Sequence, residues 1–199
     1  LGACLGAVLA NLMFGLAATA NNFILGLIGP KWAESIPYLQ LLSMIGLFYP
    51  LHYINLNILV IKGHSGLHFR LEVLTKLIAL PAVAVGLLYG IKAMIICMIF
   101  TWVLDYLITA SRSGKLIDYP LGEQIRDILP SFLFAACMGV FLFGIGQVIT
   151  LPALLTLLIQ GILALGFILF FSNLFKIKPF LEIREIVLSK FSKKTALAN

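Results

Sequence analysis

Glu72 and Lys76 stand four residues apart with the acid first, the order that suits an ion pair along one helix face. His52 and Asn55, three apart, share a face of another apolar stretch, and Asp105 sits alone in a third. An ionised group inside a bilayer costs roughly 2.5–3.5 kcal/mol on insertion scales, so such groups are paired, face water or act on something that passes. This set could neutralise charges in pairs or present them to an aqueous cavity. It carries no catalytic signature. Gly63-His64-Ser65-Gly66 is too short for a phosphate loop and no lysine follows it directly, and His64 and His68 have only Glu72 as a nearby acid. No nucleophile stands in a sensible context and no metal-ligand spacing appears, so no catalytic residue, metal or cofactor is expected.

The elements that must position these groups are membrane helices. A spanning helix needs roughly 20 apolar residues, and six stretches qualify: 4–28, 38–61, 71–90, 91–111, 130–149 and 151–175. The third must start near Leu71, because Leu77 to Gly90 would reach only about 21 Å of the roughly 30 Å hydrocarbon core. That start draws Glu72 and Lys76 into the membrane. A hairpin turning at Gly90–Ile91 sets residue 105 opposite residue 76, so Asp105 should lie level with Lys76 to within a turn. The loop around Ser65 sets residue 54 near the same level, which brings in His52, Asn55 and Asn57, and the first outer loop adds Asn11. Pro50 should open the second helix locally and free a carbonyl. The polar residues of four helices are thus expected in one slab, from mid-bilayer toward one face. Each also has a plainer reading: the asparagines and His52 bond neighbouring helices, Lys76 snorkels to the interface, and Asp105 with Lys76 is a structural pair.

Composition agrees with a membrane chain. Hydrophobic residues make up 61% and charged residues 11% of the 199, against about 45–50% and about 25% in soluble domains. The net charge of +6 does not point to nucleic acid, because the basic residues cluster in loops and the tail. Twelve Lys and Arg fall on one side and only Lys31 and Lys92 on the other, so both ends of the chain are expected in the cytoplasm. Cys4, Cys97 and Cys137 lie in apolar runs and read as packing residues. The chain opens on Leu1, directly in an apolar run, which suggests a fragment of a longer polytopic protein rather than a signal peptide. Residues 121–130 suggest a short interfacial helix leading into the fifth span. The tail after residue 175 puts Phe180, Ile183, Val187 and Phe191 opposite Lys190, Lys193 and Lys194, and should lie among inner-leaflet lipid headgroups.

Residues 28–66, IGPKWAESIPYLQLLSMIGLFYPLHYINLNILVIKGHSG, strongly resemble the oligosaccharide, or lipopolysaccharide-biosynthesis, flippases of the multidrug/oligosaccharidyl-lipid/polysaccharide exporter superfamily. Residues 111–132, SRSGKLIDYPLGEQIRDILPSF, resemble the linker before that family's last two helices. The resemblance implies an all-α integral membrane protein, its six transmembrane helices being part of a 12–14-helix, two-bundle transporter. Residues 1–111 would be the last four helices of the C-terminal bundle, 112–129 a cytoplasmic amphipathic linker, 130–175 two additional helices and 176–199 a basic cytoplasmic tail. The implied function is to move undecaprenyl-pyrophosphate-linked oligosaccharide across the bacterial inner membrane by alternating access. Lys76 would meet the pyrophosphate, with Arg70 at the cytoplasmic entrance and Asp105 and Glu72 holding the lysine or carrying a coupling proton. His52, Asn55, Asn57 and Asn11 would line the glycan path. Membrane lipids, the N-terminal half of the same transporter and the polysaccharide polymerase machinery are the implied partners. The rival readings are a multidrug or cation exporter of the same superfamily, which would favour an acidic, aromatic-lined cavity, and a structural bundle whose polar residues only pack.

Overall fold

A chain surrounded by hydrocarbon must satisfy its backbone polar groups internally, and long apolar segments do so as helices. The computed structural model describes residues 2–174, with side chains over 6–170. Six helices there are long and apolar enough to cross a membrane, and no strand occurs among the described residues. They are α1 (Gly2–Phe23), α2 (Ile36–Ile61), α3 (Ser65–Tyr89), α4 (Ile91–Gly114), α5 (Leu121–Val148) and α6 (Ala153–Leu174). A π-helical turn (Ile24–Ile28) and a 3₁₀ segment (Pro30–Ser35) join α1 to α2. The basic tail expected after residue 175 lies outside the described residues.

The spans follow the sequence expectation, with two differences. The third helix starts at Ser65, earlier than residue 71, because nothing between the Gly63 turn and Leu71 breaks a helix. The fifth does not begin near residue 130. Residues 121–130 form one continuous helix with the span, and Pro130 is accommodated inside it. At 28 residues α5 is about 42 Å long and outreaches a bilayer core of about 30 Å. The elbow before it is held by side chains. Gln124 donates to the carbonyls of Ala110 (3.2 Å) and Tyr119 (2.9 Å), and the Tyr119 hydroxyl donates to Asp127. Burial, then that hydrogen bond, push the Tyr119 phenol up to about 12, so it stays a neutral donor at ordinary pH.

Packing sets a lateral order. The hairpin α3–α4 turns on the single residue Gly90, at φ +88, which a side chain would strain. α4 packs along α2, α2 along α1, and α1 along α5, with α6 resting on α1 and α5. Small residues permit the closest approaches. Ala10, Leu47 and Ala135 form one buried cluster among α1, α2 and α5. A Cβ on Gly46 would meet the Met13 sulfur, and one on Gly26 would meet the Leu154 backbone nitrogen at 2.9 Å. At the opposite end from the elbow, Asn22 Nδ2 donates to Gln160 Oε1 (3.0 Å) and Gln160 Nε2 to the Leu142 carbonyl (2.8 Å). Gln160 is fully buried, so this clasp ties α6 to α1 and α5. Lys31 and Lys92 rest over the rings of Trp32 and Tyr38, each 5.8 Å from the centroid.

Candidate functional site

The polar slab resolves into a zipper and a charged face. Along the α2–α4 interface, Thr109 Oγ1 lies 3.2 Å from His52 Nδ1, and Ser113 Oγ donates to Asn55 Oδ1. His52 and Asn55 are 4% and 6% exposed, so both are committed between helices rather than open to a cavity. Asn55 also donates to the Leu51 carbonyl (2.9 Å), and Thr109 to the Asp105 carbonyl (2.7 Å). The His52–Thr109 and Asn55–Ser113 contacts are interhelical bonds of the kind polar residues make within membrane bundles, and the other two lie within one helix.

Lys76 lies at the middle of the 25-residue α3 and is exposed, with Glu72 half-buried one turn away. Among the described residues, Lys76 makes no ion pair within 4.0 Å. The hairpin at Gly90 lays α3 along α4 and sets Asp105 level with Lys76 to within a turn. Asp105 is buried, and its Oδ1 has no hydrogen-bond partner. α2 and α3 both pack along α4 and touch each other less. Arg70 is exposed nearer the start of α3, and Asn57 is exposed on α2 beyond the zipper. Asn11 does not join this group. It lies on α1, whose neighbours are α2 and α5, and its Nδ2 donates to the Ala7 carbonyl (2.8 Å) while its buried Oδ1 is unpartnered.

The structure adds three aromatic side chains to this neighbourhood. Tyr49 stacks near Tyr53 (centroids 4.9 Å) and Trp102 (5.3 Å), and Trp102 meets the edge of His52 at 5.5 Å. Reading the sequence for charges and amides passed over them. The signal was there in the i, i+4 spacing of Tyr49 and Tyr53, which puts two rings on one face of α2. No metal cluster of three or more His, Cys, Asp or Glu exists among the described residues.

Comparison with known proteins bears on the whole chain. No family model matches it, and no solved structure matches it significantly. It is similar to the teichuronic acid biosynthesis protein TuaB of Bacillus subtilis (strain 168), with 28% identity over 144 residues, 67% of this chain and 28% of that protein. It is also similar to the lipopolysaccharide biosynthesis protein WzxC of Escherichia coli (strain K12), with 26% identity over 144 residues, 66% of this chain and 29% of that protein. The matched stretch therefore spans less than a third of the length of these curated relatives. Over that stretch the chain is thus similar to a teichuronic acid biosynthesis protein and a lipopolysaccharide biosynthesis protein, and its described residues form six helices long and apolar enough to cross a membrane.

Proposed function

We propose that this chain is part of a transporter that moves lipid-linked oligosaccharide across the bacterial inner membrane, and that Lys76 receives the pyrophosphate of that substrate. One observation carries the reading: an exposed lysine without an ion-pair partner lies halfway along a membrane helix. A cation at that depth does not face lipid at low cost. It faces water or an anion, and a pyrophosphate crossing the bilayer is such an anion. Arg70, nearer the helix start, offers a first contact at the cytoplasmic mouth. Asp105 and Glu72 balance the lysine between passages, and the unpartnered Asp105 Oδ1 leaves room for a coupling proton. His52 and Asn55 act differently: they bond α2 to α4 and hold the two helices together. Asn57 lies along the glycan route in this reading, and Asn11, buried on α1, does not. The two-bundle architecture, the division of residues 1–111 and 130–175 into bundle and added helices, and alternating access belong to the same proposal. So do the contact with the transporter's N-terminal half and with polymerase machinery.

The test uses the full-length transporter in its producing cell. Lys76→Ala should abolish surface glycan while the protein remains in the membrane, and Lys76→Arg should retain part of the display. Normal display with Lys76→Ala would sink the assignment.

A further inference from the structure

Tyr49, Tyr53 and Trp102 are in the wrong place for ordinary membrane aromatics. Tyr and Trp gather at the two membrane–water interfaces, where the ring is buried and the polar tip is wet. Tyr49 instead stands at the middle of the 26-residue α2, about 20 Å from either end. Trp102 stands at the middle of the 24-residue α4. Tyr49 and Tyr53 are 47% and 44% exposed. Their hydroxyls lie on the same face, so the two can satisfy at most one donor between them, and the other must find water or a ligand. An exposed phenol donor facing acyl chains would go unpaired, at a cost of a few kcal/mol. A lipid-facing assignment fails on that count.

We propose that Tyr49, Tyr53 and Trp102 form a stacking platform for a pyranose ring, the sugar next to the pyrophosphate. This rests on the reading of Lys76 as the pyrophosphate's contact. A pyranose offers an apolar face of C–H groups and a rim of hydroxyls. The rings lie tilted to one another, 38° between Tyr49 and Tyr53 and 57° between Tyr49 and Trp102, in a cluster on which such a face can pack. The tyrosine hydroxyls then meet the rim. His52 sits edge-on behind Trp102, with its ring at 90°, and is held by Thr109, so the platform is backed by the α2–α4 zipper and does not need to be ordered by the sugar. An organic cation would also suit aromatic rings, but Lys76 repels it from this face. The platform is sequence-tolerant toward sugars in the way aromatic surfaces tolerate different bases, because stacking reads a ring face and few of its substituents.

The experiment measures binding to the full-length transporter in lipid nanodiscs. Two probes are used: polyprenyl pyrophosphate without sugar, and the lipid-linked oligosaccharide extracted from the producing cells. Tyr49→Leu and Trp102→Leu should weaken binding of the sugar-bearing lipid about tenfold and leave the sugar-free lipid unchanged. Tyr49→Phe, which keeps the ring, should stay within about twofold of the unmodified protein for the sugar-bearing lipid. Equal loss for both probes would mean that the rings only support the fold and would overturn the platform. Unchanged binding of both probes would overturn it as well. Tight binding of tetraphenylphosphonium that is lost in Tyr49→Leu would replace the sugar with an organic cation. Lys76→Ala tests the other reading separately: it should weaken both probes, and if it weakens neither, the pyrophosphate contact fails while the selective loss in Tyr49→Leu still stands.

Discussion

At the scale of single residues, buried amides carry more of this molecule than its charges do. Gln160 is fully buried and bonded on both sides, to Asn22 and to the Leu142 carbonyl. A Cβ on Gly146 would come within 2.6 Å of Gln160 Nε2 and 3.3 Å of Asn22 Nδ2. Gly146→Ala should therefore push the amide off its acceptors and lower stability by about 1–3 kcal/mol, read as a fall in the unfolding temperature in detergent. Gly161→Ala, where a Cβ meets nothing within 4 Å, should change little and serves as the control. The α2–α4 zipper should be milder. Removing the Asn55–Ser113 contact as a pair should cost about 0.6–1.7 kcal/mol, the range seen between helices in membranes, and a double-mutant cycle would measure it. Sequence reading found His52 and Asn55 because a histidine and amides are conspicuous among aliphatics. It passed over Asn22 and Gln160 because their pairing joins residues 138 positions apart, and nothing local in either segment announces the other.

At the scale of elements, helix type and span number were legible because uninterrupted apolar runs leave the backbone no other way to bond. Helix partners were not. A membrane helix that is apolar all round does not show which side meets protein, since lipid accepts the same residues as a neighbouring helix. The docking of α1 against α5, far apart in the chain, became visible only in three dimensions, where Ala10 and Ala135 meet. The elbow shows a related limit. Residues 121–130 read as a short interfacial helix leading into the fifth span. Nothing local in them announces that Gln124, 4% exposed, binds the end of α4 or that the helix runs into the span unbroken. Gly114 closes that elbow: a Cβ there would collide with the Tyr119 carbonyl oxygen, a backbone atom that cannot rotate away. Gly114→Ala should therefore loosen the α4–α5 connection. Protease cleavage near Asp118, slow in the unmodified protein, should become fast.

At the scale of the whole molecule, six spans return the described chain to the side on which it started, and Lys31 and Lys92 mark the opposite side. The imbalance of basic residues predicts that this side faces outward. Cysteines placed at Ala33 and Lys92, both exposed, should react with a membrane-impermeant maleimide in intact spheroplasts, and one at Asp118 only after permeabilisation. The opposite pattern would invert the assignment. A last consequence comes from Pro50. It has no N–H, so the Gly46 carbonyl one turn earlier receives no helical hydrogen bond, and Gly46 is where α2 crowds Met13 of α1. Before this point α2 is fastened to α1, by Gln40 to the Ala17 carbonyl and by Leu47 against Ala10. Beyond it α2 is fastened to α4 through His52 and Asn55. The unbonded carbonyl thus lies on the short stretch of α2, from Gly46 to Leu51, that touches α1 and α4 at once, so any bending of α2 is expected there first.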